Sequence, residues 1–167
     1  MHPLIHQIER TVFAPCGLAI TDIVKDAESE EYHGYDLQCN NNIRIKFRLA
    51  KLTPKKVGNF VALWKRSSAG VTEPFEHDDP FDYYLVAVQS ENTYGLFFFP
   101  KYVLAKNGIL THEGKEGKRG FRLYPDWVKA PNRQAEKTQL WQSPFFIPLE
   151  EGDSNAAEKL RHIRQLK

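Results

Sequence analysis

IRIKFRLAKLTPKKVGNFVALWKR, residues 43–66, holds eight cations and no carboxylate, and how it divides into strand and helix decides the fold. Its first part alternates: Ile43, Ile45, Phe47 and Leu49 are apolar, while Arg44, Lys46 and Arg48 are charged, which is the period of a half-buried strand. Upstream, Tyr35, Leu37 and Cys39 alternate with Asp36 and Gln38, and the run Asn40, Asn41, Asn42 supplies a turn. The two segments therefore read as a hairpin. Like faces must pair, because a slip of one residue inverts every side chain. The loop of three asparagines sets Cys39 opposite Ile43, and hence Asp36 opposite Lys46. Asp36, Gln38, Arg44, Lys46 and Arg48 then share one polar surface.

The second part of the stretch reads as a helix. Thr53 is a good N-cap and Pro54 suits a first turn. Val57, Phe60, Val61 and Trp64 follow at i, i+3, i+4 and i+7, which predicts a helix of about three turns with Trp64 on its core stripe. Lys51, Lys55 and Lys56 would sit near its N-terminus, where each cation costs about a few tenths of a kcal/mol against the dipole. A docked phosphate would remove that conflict, with Thr53 as a second possible contributor.

Working outward, residues 5–12 have helical spacing and end at Pro15 and Gly17, and GLAITDIVKD reads as a strand. TEPFEHDDPFD is an acidic loop. YYLVAVQ and GLFFFP are buried strands, and KYVLAKNG is a short helix closed by Gly108. HEGKEGKRG is a glycine-rich basic loop leading into the strand FRLYP, and Asn132 caps a helix over NRQAEKTQLWQ. This order predicts a mixed α/β fold, a central mixed sheet flanked by helices, over residues 1–149. Residues 150–167 read as a polar C-terminal extension with a weak helix around Leu160 and Ile163.

Composition narrows the function. The 167 residues are 41% hydrophobic, enough for a real core, and carry a formal net charge of +2. No Asp or Glu occurs between Asp36 and Glu73, so the basic charge is concentrated, which points to an anionic partner, DNA or RNA first. No apolar run approaches the roughly 18 residues of a membrane span, and the first residues lack a signal-peptide layout. Cys16 and Cys39 share no metal or redox spacing, so a cytoplasmic protein is expected.

IKFRLAKLTPKKVGNFVALWKR, DDPFDYYLVAV, GLFFFPK, EGKRGFRLYPDW and AEKTQLWQ, in this order, resemble the MepB-like family over roughly residues 1–149. The resemblance implies a fold similar to the restriction-endonuclease-like core, with nucleic-acid binding as its activity. A nuclease of that fold sets an Asp on one hairpin strand and a Glu-x-Lys pair on the next. Its two carboxylates hold a divalent metal and its Lys orients the attacking water. Asp36 stands where the Asp would be and Lys46 where the Lys would be, but Arg44 replaces the Glu. At about 4 Å and an effective dielectric near 20, each unit pair is worth roughly 4 kcal/mol, so reversing the sign against a dication shifts the site by about 16 kcal/mol before screening.

The resulting expectation is a non-catalytic nucleic-acid binder held by phosphate contacts and needing no cofactor. Its cations are Arg44, Lys46, Arg48, Lys51, Lys55, Lys56, Lys65, Arg66, Lys115, Lys118, Arg119 and Arg122, with Trp127 as an exposed ring for stacking. Trp64 reads as core, and Trp141 is a weaker stacking candidate. An active nuclease would instead use Asp36 and Lys46 with Glu9 or Asp82 as a relocated carboxylate, and Mg or Mn as its metal. The acidic loop adds Asp78 and Asp79, beside His77, as weak ligands. A module for an acidic protein partner is the third reading.

Overall fold

The hairpin forms in the expected register. The computed structural model describes residues 1–150 and 155–166. In it β2 (Tyr35–Cys39) and β3 (Ile43–Leu49) pair antiparallel, Cys39 against Ile43 and Asp36 against Lys46. Asn40 and Asn41 take left-handed conformations at φ 52° and 64°, which asparagine tolerates better than most residues. β1 (Ile20–Lys25) extends the hairpin on one side. On the other, β3 lies parallel to β8 (Tyr83–Ser90), which continues antiparallel into β9 (Thr93–Pro100) and β11 (Phe146–Leu149). The chain is mixed α/β, with a six-stranded mixed sheet in the order β1-β2-β3-β8-β9-β11.

The parallel step from β3 to β8 needs a crossover, and there the structure corrects the sequence reading. No helix forms between Thr53 and Trp64. The segment gives β4 (Lys51–Leu52), β5 (Asn59–Ala62) and β6 (Lys65–Arg66), the last paired with β7 (Thr72–Glu73). Two facts decide against the helix. Gly58 sits at φ 91°, and a Cβ there would lie 2.7 Å from the Leu123 carbonyl oxygen. Beyond it Asn59, Val61 and Leu63 are buried in alternation with Phe60 and Ala62. That period-two pattern pairs β5 with β10 (Gly120–Leu123), about sixty residues away, and the distant partner overrides the local helical spacing. A second, three-stranded sheet, β10-β5-β4, results.

Each face of the main sheet acquires its own layer. On one face α1 (Pro3–Ile8) runs on through a π-helical turn, Glu9–Phe13, and a 3-10 turn, Ala14–Cys16, to Gly17 at φ 73°. The Phe13 ring meets Phe98 edge-on at 6.4 Å. α4 (Asn155–Gln165) packs beside it against β9 and β11, with Leu160 and Ile163 buried, so the helix expected weakly at these two residues docks on the core. On the other face, Phe99 packs against Phe121 of β10, against Trp141 of α3 (Arg133–Gln142) and against Phe145. Asn132 caps α3 as expected, its Oδ1 accepting the Ala135 N–H at 2.9 Å. α2 (Lys101–Lys106) follows β9 and leads to Gly108 at φ 75°.

Cys39 lies fully buried on the α1 face. Burial, with the Glu9 carboxylate adding to it, pushes its thiol up to about 11 from an ordinary 9.0. The folded chain therefore keeps a proton that the unfolded chain sheds first. This contribution to stability is complete below pH 9.0 and is lost as pH rises through about 11. Denaturant midpoints should fall across that window. In a Cys39→Ala variant that component should vanish, and the decline across the same window should become shallower.

Candidate functional site

Folding dissolves much of the charge segregation that the sequence displays. The 3-10 turn Ala27–Tyr32 and its flanks fold over the basic stretch and supply its missing acid. Asp26 pairs with Arg48 at 2.7 Å, Glu28 with Arg66 at 2.9 Å and Glu31 with Lys51 at 2.8 Å. Asp36 pairs with Lys46 at 3.0 Å and Asp79 with Lys65 at 2.9 Å. Arg48 is the clearest departure from the expected polar surface. It shares a sheet face with Lys46, but that face is covered at its position, and the side chain is 1% exposed. Gly34 is needed beside it, because a Cβ there would stand 2.9 Å from Arg48 Nη1 and 2.6 Å from Ser29 Cβ. Of the eight cations, Arg44, Lys55 and Lys56 keep side chains without an ion pair among the described residues.

The edge of the hairpin forms a cavity of about 270 Å³, lined by Asp22, Asp36, Arg44, Lys46, Phe81 and their neighbours. This is where the sequence placed a nuclease-like strand pair. The Lys46 ammonium lies 4.7 Å from the centre of the Phe75 ring and 5.8 Å from that of Phe81, while bonded to Asp36. Arg44 is exposed, and its backbone N–H donates to Asp82 Oδ2 at 2.8 Å. Glu9 is elsewhere: its Oε2 accepts the Ile20 N–H at 3.1 Å and it acts on Cys39, which faces away from Asp36. The carboxylate sharing the cavity with Asp36 is Asp22, which lies opposite Gln38. A register shift between Ile20 and Asp22 turns Asp22 onto that face, and plain alternation along ITDIVK does not give it.

These donors do not fit a dication. Two carboxylates share the cavity with a guanidinium and an ammonium, and one of the carboxylates is already bonded to the ammonium. In the acidic loop, Asp79 Oδ1 holds Lys65 and its Oδ2 accepts the Glu76 N–H at 2.6 Å, while Asp78 stands exposed 3.5 Å from His77. Among the described residues no three His, Cys, Asp or Glu side chains come together as a metal-holding group.

A larger opening than the hairpin cavity lies on the other sheet. A cleft of about 670 Å³ runs between the Lys55–Lys56 turn, the outer face of β5 and β10, and α3. Lys55, Lys56, Lys118 and Arg122 line it, and no carboxylate among the described residues does. Phe60, Phe121, Tyr124 and Trp141 provide its aromatic surface. Arg122 is fixed by bonds to Thr53 Oγ1 at 2.7 Å and the Val57 carbonyl at 3.2 Å, with its guanidinium 5.9 Å from the centre of the Phe60 ring. Lys55, Lys56 and Lys118 are exposed, and their side chains make no hydrogen bond or ion pair among the described residues. The glycine-rich loop positions Lys118 through close packing: a Cβ at Gly117 would lie 2.3 Å from the Ile109 carbonyl oxygen. Lys115 is exposed at the far end of this loop, and Arg119 turns away to Glu116 and the Thr72 carbonyl.

Trp127 is exposed as expected, and the other two tryptophans sort differently. Trp64 is half-buried under the Arg66 guanidinium, 5.1 Å from its ring, rather than on a helix stripe. Trp127 is 40% exposed and meets Phe146 edge-on at 5.3 Å. Trp141 is the one that lines the cleft. Phe60 and Tyr124 were missed because only the β5–β10 pairing brings them beside Lys118.

No helix among the described residues is long and apolar enough to cross a membrane. A family model described as MepB-like matches residues 26–148. A solved structure described as "Crystal Structure of MepB" superposes with a TM-score of 0.76 at 28% identity, covering 90% of this chain and 99% of that one. No curated protein matches the chain.

Proposed function

We propose that this chain, which belongs to the MepB-like family, binds nucleic acid through its phosphates and does not cut it. The observation that carries the reading is the cleft in which Lys55, Lys56, Lys118 and Arg122 converge with no carboxylate lining it among the described residues. Three of these cations have no partner to give up among the described residues, so a phosphate meets them without breaking an ion pair there. Arg44 is exposed at the hairpin edge and can add a fifth contact. The hairpin supports the other half of the proposal. Asp36 opposite Lys46 is what a restriction-endonuclease-like scaffold would give, but the Asp36 carboxylate is neutralised by Lys46 and a guanidinium stands where the second carboxylate would be.

A gel shift titrated with salt, with and without magnesium or manganese, tests both halves. Five cations meeting phosphates should give a log–log slope of about −4.5 on duplex DNA, and the nucleic acid should stay intact with either metal. A flat salt response would remove the binding function. Cleavage that disappears in an Asp36→Ala variant would make the protein a nuclease.

A further inference from the structure

We infer that the cleft between the Lys55–Lys56 turn and α3 is a pocket for one free nucleotide, so that a nucleoside monophosphate competes there with the polymer. The inference rests on the nucleic-acid reading for the choice of ligand, and on the cleft's own shape and lining for the rest. Its volume of about 670 Å³ falls within the range of small-molecule sites. A polymer groove that reads only phosphates needs cations, but it has no use for a recessed aromatic wall. Here the two occur together. Lys55, Lys56 and Lys118 stand exposed at the rim, while Phe121 and Tyr124 are buried and Trp141 and Phe60 half-buried behind them.

That division matches a ligand with a charged end and a flat apolar body. The phosphate would meet the lysines and the Arg122 guanidinium, which is already held in place by Thr53 and Val57. The base would lie against Trp141 or Phe60. Gln134 and Thr138 of α3, with its cap Asn132, line the same cleft and offer both donors and acceptors to a base edge. Inorganic phosphate would use only the first half of this set, and a nucleoside only the second.

The full chain is titrated calorimetrically with adenosine 5′-monophosphate, adenosine and inorganic phosphate, and in parallel with a labelled oligonucleotide. The monophosphate should bind at least about tenfold more tightly than either fragment and should displace the oligonucleotide. Lys118→Glu, a change at an exposed side chain, should weaken the monophosphate about tenfold or more. Trp141→Ala should weaken the monophosphate and adenosine but leave inorganic phosphate unchanged. Monophosphate binding no tighter than phosphate, or unaffected by Lys118→Glu, overturns the inference. If the oligonucleotide still binds with its salt dependence while the monophosphate does not, the pocket falls and the nucleic-acid reading stands. If neither binds, both fall.

Discussion

Replacing Asp26 with alanine should lower the stability of the fold by about 3–5 kcal/mol, the cost of leaving a buried charge without its partner. Arg48 is 1% exposed, and its Nη2 bonds to Asp26 Oδ2 at 2.7 Å. Its remaining contacts cannot substitute. Nη1 donates to the Phe47 carbonyl at 2.7 Å, and Nε has no partner among the described residues. Asp26 also accepts the Glu28 N–H at 3.0 Å through Oδ1, so alanine would uncap the 3-10 turn that carries Glu28 and Glu31. Arg48→Met should cost clearly less. It keeps much of the stem's volume, removes the buried charge itself, and leaves Asp26 near the surface with its cap intact. The double variant should therefore be more stable than Asp26→Ala alone. Chemical denaturation measures all three, and equal losses in the two single variants would mean that the stranded charge is not what destabilises the protein.

The same pair marks how far the sequence could be read. The hairpin was legible because its turn, alternation and register are all local, so Asp36 opposite Lys46 follows from the asparagine loop and the period of two. The caps at Asn132 and Gly108 were legible for the same reason. The basic segment was not, because its acid comes from elsewhere: Asp26 precedes Arg48 by 22 residues and Glu28 precedes Arg66 by 38. Charge counted along the chain cannot see such pairs. The misread helix has the same origin. Val57, Phe60, Val61 and Trp64 satisfy a helical stripe as they stand, and only the partner strand at Gly120–Leu123 makes Asn59, Val61 and Leu63 the buried set. That change moved the candidate site. The cations nearest the nuclease-like hairpin proved mostly paired, and Lys55, Lys56 and Lys118 line a cleft that exists only because the segment is a strand.

The largest effect on binding should come from that cleft. Lys55→Ala, Lys56→Ala and Lys118→Ala together should reduce the log–log salt slope on duplex DNA by about 2.7, from three phosphate contacts at about 0.9 each. The loss of affinity should itself depend on salt, about three-thousandfold near 0.05 M and only about sixfold near 0.5 M. The fold should survive, since all three side chains are exposed, and surface changes of this kind usually move stability by about half a kcal/mol or less. Arg122 is left in place because it ties Thr53 and Val57 to β10. A second triple variant, Lys51→Ala, Lys65→Ala and Arg66→Ala, removes the same net charge from side chains paired to Glu31, Asp79 and Glu28. It should weaken binding at all salt concentrations by a smaller and more uniform factor, because those cations reach phosphates only by abandoning carboxylates. If the two triples shift slope and affinity alike, net charge governs the association, and the cleft has no special claim to the nucleic acid.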